Sequence, residues 1–280
     1  MSNNQNGYRS LATSSQPGNG RERGEDQPLL GGKPTAHSVV ARIRRSMKAD
    51  VDRRWGDVVL ILCYLITGLL DSASISIWGS FVSMQTGNTV YIGLGLAAPS
   101  ESTRWIKSGT SLGCFCVGSI LFSMFHRTVG PKRRITLIAS FAFQTLLIAI
   151  AAAIVTFGPE AGGKEDITWN VLLPIALVAF QSCGQAVTSR ALKYNALTSV
   201  VLTSIYCDLF SDAQLLGLHN VERNQRMGAP VMLLLGAIAG GKFAHSSYGI
   251  AHALWTAAGL KLLVVIAWFF WPSEKEEEEE

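Results

Sequence analysis

Between residues 67 and 96 the chain reads TGLLDSASISIWGSFVSMQTGNTVYIGLGL, which sets Asp71, Gln85, Thr86 and Asn88 inside apolar sequence long enough to enter or cross a bilayer twice. A carboxylate near mid-membrane costs roughly 2.5–3.5 kcal/mol on insertion scales, so Asp71 calls for a water-filled cavity, a charged partner or an ion path. Thr86, Gly87 and Asn88 offer a hydroxyl, a flexible backbone position and a carboxamide in succession. Glycine there can break a helix and turn backbone groups toward a ligand, and Gln85 adds a further donor and acceptor. The same residues also read as a sharp, self-satisfied bend that holds no ligand.

Four ionisable side chains stand out within apolar segments: Asp71, Asp208, Lys242 and Lys261. Two acids and two bases invite pairing, because a salt bridge keeps both partners charged at lower net cost than isolated burial. Asp208 with Lys261, or Asp71 with Lys242, would then lock two parts of the chain in register. Under the functional reading, Asp71 exchanges a proton or binds a cation instead. Gln185, Thr203, Ser204 and Asp208 form a second polar group, and with Asp71, Gln85, Thr86, Gly87 and Asn88 they make the candidate substrate or ion site.

The elements that carry these residues are helices in lipid. Of 280 residues 48% are hydrophobic, although the first fifty and the last nine are strongly polar, so the remainder is more apolar than the average. Runs of about 20 apolar residues span hydrocarbon, and most of these runs are apolar on every face, which an all-α soluble domain with amphipathic stripes would not show. The expected class is therefore all-α, a polytopic helical membrane protein. Hydrophobic segments are expected at 57–78, 81–98, 105–125, 135–157, 169–189, 197–216, 227–244 and 250–271, with the tryptophans near their ends as an interfacial belt.

Loop charge chooses among topologies. Arg127, Lys132, Arg133 and Arg134 precede the fourth segment, Glu160, Lys164, Glu165 and Asp166 follow it, and Arg190 and Lys193 follow the fifth. Eight crossings would leave both basic loops outside. Six crossings, with the second and sixth segments re-entrant or broken, keep every basic loop and both termini cytosolic.

Residues 1–54 are expected to form a disordered cytosolic tail ending in a basic juxtamembrane segment, 55–271 the membrane domain, and 272–280 an acidic cytosolic tail. The N-terminal stretch lacks the apolar core of a secretory signal, so the first spanning segment is expected to serve as an uncleaved one. Glu25, Leu29 and Leu30 resemble an acidic dileucine sorting signal, a partner motif for a sorting adaptor. Val40, Ile43, Met47, Val51 and Trp55 alternate with arginines and lysines as in a basic helix lying on anionic lipid, or else as a solvated linker. Anionic lipid explains that cluster better than nucleic acid does. The five cysteines lie in apolar segments without metal-ligand spacing, and no cofactor or metal motif accompanies them.

The domain reads as two similar halves, 55–158 and 168–271. Each has a polar-ended helix, a Thr/Ser-rich element (Thr86 to Thr89; Thr198, Ser199, Thr203 and Ser204) and a glycine-rich third element. Gly109 with Gly113, and Gly236 with Gly240, supply a GxxxG spacing in both halves for close helix packing. Three crossings per half require opposite insertion, an inverted repeat of the kind found in secondary transporters.

Gly68-Leu69-Leu70-Asp71-Ser72, then Gly79-Ser80-Phe81-Val82 and Gln85-Thr86-Gly87-Asn88-Thr89-Val90, resemble the Gly-x-x-Asp-Ala and Phe-x-x-x-Gln/Met-Thr-Gly-Asn signature of the YoaK family of uncharacterised membrane proteins. The likeness runs from about residue 56 to 271 through Gly184-Gln185 and Val201-Leu202-Thr203-Ser204. Bacterial members often carry Thr-Gly where this chain has Thr203-Ser204. The resemblance implies a six-span fold and no particular activity.

The function expected from these residues is a secondary transporter or channel for a small polar solute or ion. The alternative is a non-transporting scaffold or trafficking protein acting through its cytosolic tails. An enzyme is not expected, since no nucleophile and base occur together at helical spacing. Vacuolar, endosomal and plasma membranes are all compatible locations.

Overall fold

The computed structural model describes residues 41–274 apart from 42–43, 53, 160–163, 195–196, 198–199, 218–219 and 248. The sorting motif Glu25, Leu29 and Leu30, and Thr198 with Ser199, lie outside the described residues. The helices are α1 (Gly56–Ile77), α2 (Gln85–Ala97), α3 (Arg104–Val129), α4 (Arg134–Phe157), α5 (Trp169–Ala191), α6 (Thr203–Phe210), α7 (Val221–Ala244) and α8 (Gly249–Phe270). Six of these, all but α2 and α6, are long and apolar enough to cross a membrane. The protein is a helical, multi-pass membrane protein, and the two elements expected to stop short of crossing are a 13-residue and an 8-residue helix.

Among the described residues of the sixth apolar segment, 197–216, only Thr203–Phe210 winds into helix. In contrast, α7 begins six residues before the apolar run, at Val221. Its polar first turn is stabilised by Asn220, whose side chain accepts from the Arg223 amide at 2.9 Å, and by an Arg226–Glu222 ion pair one turn apart. Hydropathy alone does not detect a capped polar turn.

Polarity is arranged for lipid. Leu94, Ile120, Leu234, Leu263 and Phe270 stand on the outside, whereas Thr67, Asp71, Ser111, Ser140, Gln144, Gln181, Gln185 and Lys261 are buried. Each buried polar side chain must find its partner within the protein, because hydrocarbon supplies none. Two tryptophans depart from the interfacial belt: Trp78 and Trp268 are core residues, at 4% and 0% exposure.

Helix α1 packs along α7, α3 along α5, and α4 against α5 and α8, while α2 lies on α3. Glycines set the closest approaches. A Cβ added at Gly68 would collide with the Leu233 carbonyl, and one at Gly236 or Gly240 with the carbonyls of Leu65 or Leu69, so α1 and α7 meet backbone to backbone. Gly109 and Gly113 correct the expectation of matched GxxxG contacts, since a Cβ at either would meet nothing within 4 Å. In the first half the close approach is made by Gly118, where a Cβ would come 2.5 Å from the Phe180 carbonyl oxygen of α5.

At one end of the bundle, three stretches of chain are tied together. The Val51 amide donates to the Lys132 carbonyl at 3.1 Å, the Asp52 amide to Pro272 at 3.0 Å, and the Glu274 amide to Asp50 at 2.9 Å. The Arg134 guanidinium donates to the Ser46 hydroxyl, to the Trp271 carbonyl and, at 2.9 Å, to the Ser273 hydroxyl. The juxtamembrane segment therefore does not continue as one helix to Trp55. Helix gives way after Lys48, and Val51 is buried against Leu137 and Trp268. The chain enters and leaves the bundle at the same end, as an even number of crossings requires.

Candidate functional site

The first polar group is built by an interrupted helix. After α1 ends at Ile77, Gly79 takes φ +79°, a left-handed conformation costly for residues with a side chain, and the chain runs back along α1 before α2 starts. The Ser74 hydroxyl on α1 donates to the Ser80 carbonyl at 2.7 Å, holding the return strand in place. Asp71, one turn earlier, meets the same strand. Its Oδ1 accepts from the amides of Val82 at 2.8 Å and Ser83 at 2.9 Å, and its Oδ2 from the Ser83 hydroxyl. The carboxylate thus satisfies backbone donors of the non-helical segment between the two helices, pinning it to α1 across the break.

Asn88 performs a comparable task from the other side. Its Oδ1 faces the Phe81 amide at 3.1 Å and the Ser80 hydroxyl at 3.2 Å. Its Nδ2 faces the Phe81 carbonyl at 2.8 Å, the Gln85 carboxamide oxygen at 2.9 Å and the Ser111 hydroxyl at 3.0 Å. Gln85 also donates to Ser111, at 3.2 Å, so both carboxamides join α2 to α3. Gly87 is required by packing, because a Cβ there would come 2.7 Å from the Phe81 ring. Of Gln85, Thr86, Gly87 and Asn88, Thr86 alone is exposed.

A second polar cluster lies between α1, α4, α5 and α8. Gln185 donates to the Thr67 hydroxyl at 2.6 Å. Lys261 is fully buried, donates to the carboxamide oxygens of Gln181, at 2.7 Å, and Gln144, and lies 5.5 Å from the centre of the Phe141 ring. The expected ion pairs therefore correct as follows. Lys261 is held by two neutral carboxamides rather than by Asp208, and Asp71 is bonded to Val82 and Ser83 rather than to Lys242. Lys242 is exposed in the last turn of α7, and Thr203, Ser204 and Asp208 are exposed on α6.

Between the two clusters, the polar Thr67, Ser83, Gln181 and Gln185 and the apolar Ile66, Leu70 and Val82 line a seam packed too tightly to admit a water molecule. Ser83 also faces a cavity of about 220 Å³ that lies between α2, α3, α5 and the segment before α6. Gln85, Thr86, Ser119, Ser123, Arg190 and Val201 are among its lining residues. The structure thus brings Gln85 and Thr86 to one cavity with residues of the second half. Asp71, Asn88, Thr203, Ser204 and Asp208 do not line it.

Residue types alone did not single out the serines. Ser80, Ser83 and Ser111 complete the bonding of Asp71 and Asn88, but serine is common in membrane helices and carries no hydropathy signal. Lys107 is a plainer omission. It sits inside the third apolar segment, is fully buried, and donates to the carbonyls of Trp78 at 3.3 Å and Lys164 at 2.7 Å. Beside it Glu165 accepts from the Thr103 amide at 2.7 Å and hydroxyl at 2.9 Å, and those bonds hold the Glu165 carboxyl below its ordinary range.

No curated protein and no solved structure matches this chain. The model of a family described as "protein of unknown function (DUF1275)" matches residues 59–267. That span contains both short elements, the Asp71 and Asn88 bonding around the turn at Gly79 and the Lys261 cluster, and the chain belongs to this family, the YoaK-like membrane proteins.

Proposed function

We propose that the protein is a secondary transporter or channel for a small polar solute or ion, and not an enzyme. The observation that carries this reading is the cavity bounded on one side by Ser83, Gln85 and Thr86 and on the other by Arg190, Val200 and Val201. It meets the closed seam at Ser83, so an open space adjoins the buried polar side chains of Thr67, Gln181 and Gln185. Ligand sites between helices, beside interrupted ones, are the usual arrangement in carriers that alternate access.

An inverted repeat would provide the moving parts. What supports it is the neighbour pattern among the described residues. Exchanging α1 with α5, α2 with α6, α3 with α7 and α4 with α8 turns every neighbouring pair of helices into another neighbouring pair. The close α1–α7 contact becomes the α5–α3 contact, and the α4–α8 contact maps onto itself. In this reading the basic end, with Arg133 and Arg134 in the clasp that gathers both ends of the domain, is cytosolic. The membrane is vacuolar, endosomal or plasma membrane, and the basic juxtamembrane stretch rests on anionic lipid.

Purified full-length protein in liposomes, offered a broad panel of labelled solutes and ions, tests the reading. Flux above protein-free vesicles is expected for at least one solute, with a large loss in Thr86→Trp, where the indole would occupy the cavity. No protein-dependent flux across the panel would overturn it in favour of a scaffold working through the tails.

A further inference from the structure

The chemistry of the cavity wall is one-sided. Among the described residues it is lined by Arg190, which is exposed, by Ser83, Thr86, Ser119, Ser123 and Gln85, and by no aspartate, glutamate or second cation. The Ser83 hydroxyl is already given to Asp71 and the Gln85 carboxamide to Val82, Asn88 and Ser111, so Arg190, Thr86, Ser119 and Ser123 are the groups left for a guest. Arg190 has no ion-pair partner among the described residues, so no described carboxylate neutralises it. Asp71, the acid buried closest in sequence to this wall, is committed to Val82 and Ser83 and does not face the space. A cation would meet an arginine and no counter-charge. An anion would meet a planar donor fork flanked by hydroxyls, the arrangement that suits a carboxylate.

The remaining wall is apolar, with Phe115, Val200 and Val201 facing the same space. The volume of about 220 Å³ compares with about 30 Å³ for a molecule of liquid water, so the guest is small. Gln85 and Thr86 open α2, so the partial positive charge of a 13-residue helix start adds to Arg190. We infer that this cavity takes a short-chain monocarboxylate, its carboxylate held by Arg190 and the hydroxyls of Thr86, Ser119 and Ser123, and its carbon end against Phe115, Val200 and Val201. This deepens the transport reading by naming a substrate class, and rests on it for passage across the membrane though not for binding.

Pyruvate is a suitable probe because it stays ionised at neutral pH, with glycerol as an uncharged and choline as a cationic control of similar size. Binding to the purified full chain and uptake into liposomes are measured for wild type, Arg190→Gln and Arg190→Lys. The expected result is saturable pyruvate binding and uptake, both reduced about tenfold or more in Arg190→Gln, as the loss of charge-assisted bonds implies. Arg190→Lys, which keeps the charge and loses the fork, falls between and also reports that the protein is folded. Pyruvate binding unchanged in Arg190→Gln, or a parallel loss of glycerol and choline uptake, would overturn the inference. Uptake of glycerol or choline without any pyruvate binding would overturn it while leaving the transport reading standing. Pyruvate binding that depends on Arg190 without uptake would uphold the site and sink transport.

Discussion

The Asn88 carboxamide lies within hydrogen-bonding reach of five atoms on Ser80, Phe81, Gln85 and Ser111, and it is fully buried. Asn88→Ala should therefore lower the thermal midpoint of the detergent-solubilised protein, with roughly 1–3 kcal/mol for each buried group left unpaired. Thr86→Ala, at an exposed position of the same motif, should stay within about 0.5 kcal/mol of wild type. Asp71 invites a similar comparison. Asp71→Asn keeps an oxygen for the Val82 and Ser83 amides, whereas Asp71→Leu strands them, so unfolding measurements should find the leucine variant the less stable by roughly 1–3 kcal/mol. Equal stability of the two would argue against the acid's role in holding the Val82 and Ser83 amides.

Helix against helix, the glycines decide where backbones touch. Gly236→Leu places a side chain against the Leu65 carbonyl and should force α1 from α7, leaving little folded protein by size-exclusion chromatography. Gly113→Leu, with open space at its Cβ position, should be tolerated. The loop before α5 carries a pH dependence of definite sign. Because Thr103 holds the folded-state pKa of Glu165 below its ordinary value, this contact stabilises the fold above the unfolded carboxyl pKa and is lost as pH falls through the lower folded value. Glu165 is largely exposed, so the effect is local. Protection of the Thr103 amide, its exchange rate taken relative to the intrinsic rate at each pH, should fall on acidification in wild type, and that acid-dependent step should vanish in Glu165→Gln.

For the whole molecule, the backbone bonds among residues 49–52, 132–134 and 271–274 put both ends of the membrane domain at one end of the bundle. Tags placed beyond those ends should be reached by a membrane-impermeant reagent from the same side of sealed vesicles. Reaction of one tag only from each side would contradict six crossings. The interior is uneven as well as polar, with a closed seam at Thr67, Gln181 and Gln185 beside an open cavity at Thr86 and Arg190.

Much of this architecture was legible in the residue order, for a physical reason. Hydrocarbon admits only helices whose backbone is internally bonded, so apolar runs of spanning length and the positions of basic loops suffice to read six crossings and two shorter elements. The polar group at Thr86-Gly87-Asn88 was legible because hydroxyl, glycine and carboxamide are conspicuous in apolar sequence, but the break was expected there and lies earlier: the chain turns at Gly79, and Thr86, Gly87 and Asn88 sit in the first turn of α2. Side-chain partners were not. Lys261 is 117 residues from Gln144 and 80 from Gln181 in the chain, and a lysine seeking acceptors reads the same whether carboxylates or carboxamides supply them. Which glycines touch, which tryptophans lie inside, and which polar groups face a cavity depend on the rotation and register of packed helices. Those are set by long-range fit between side chains, and no local pattern encodes them.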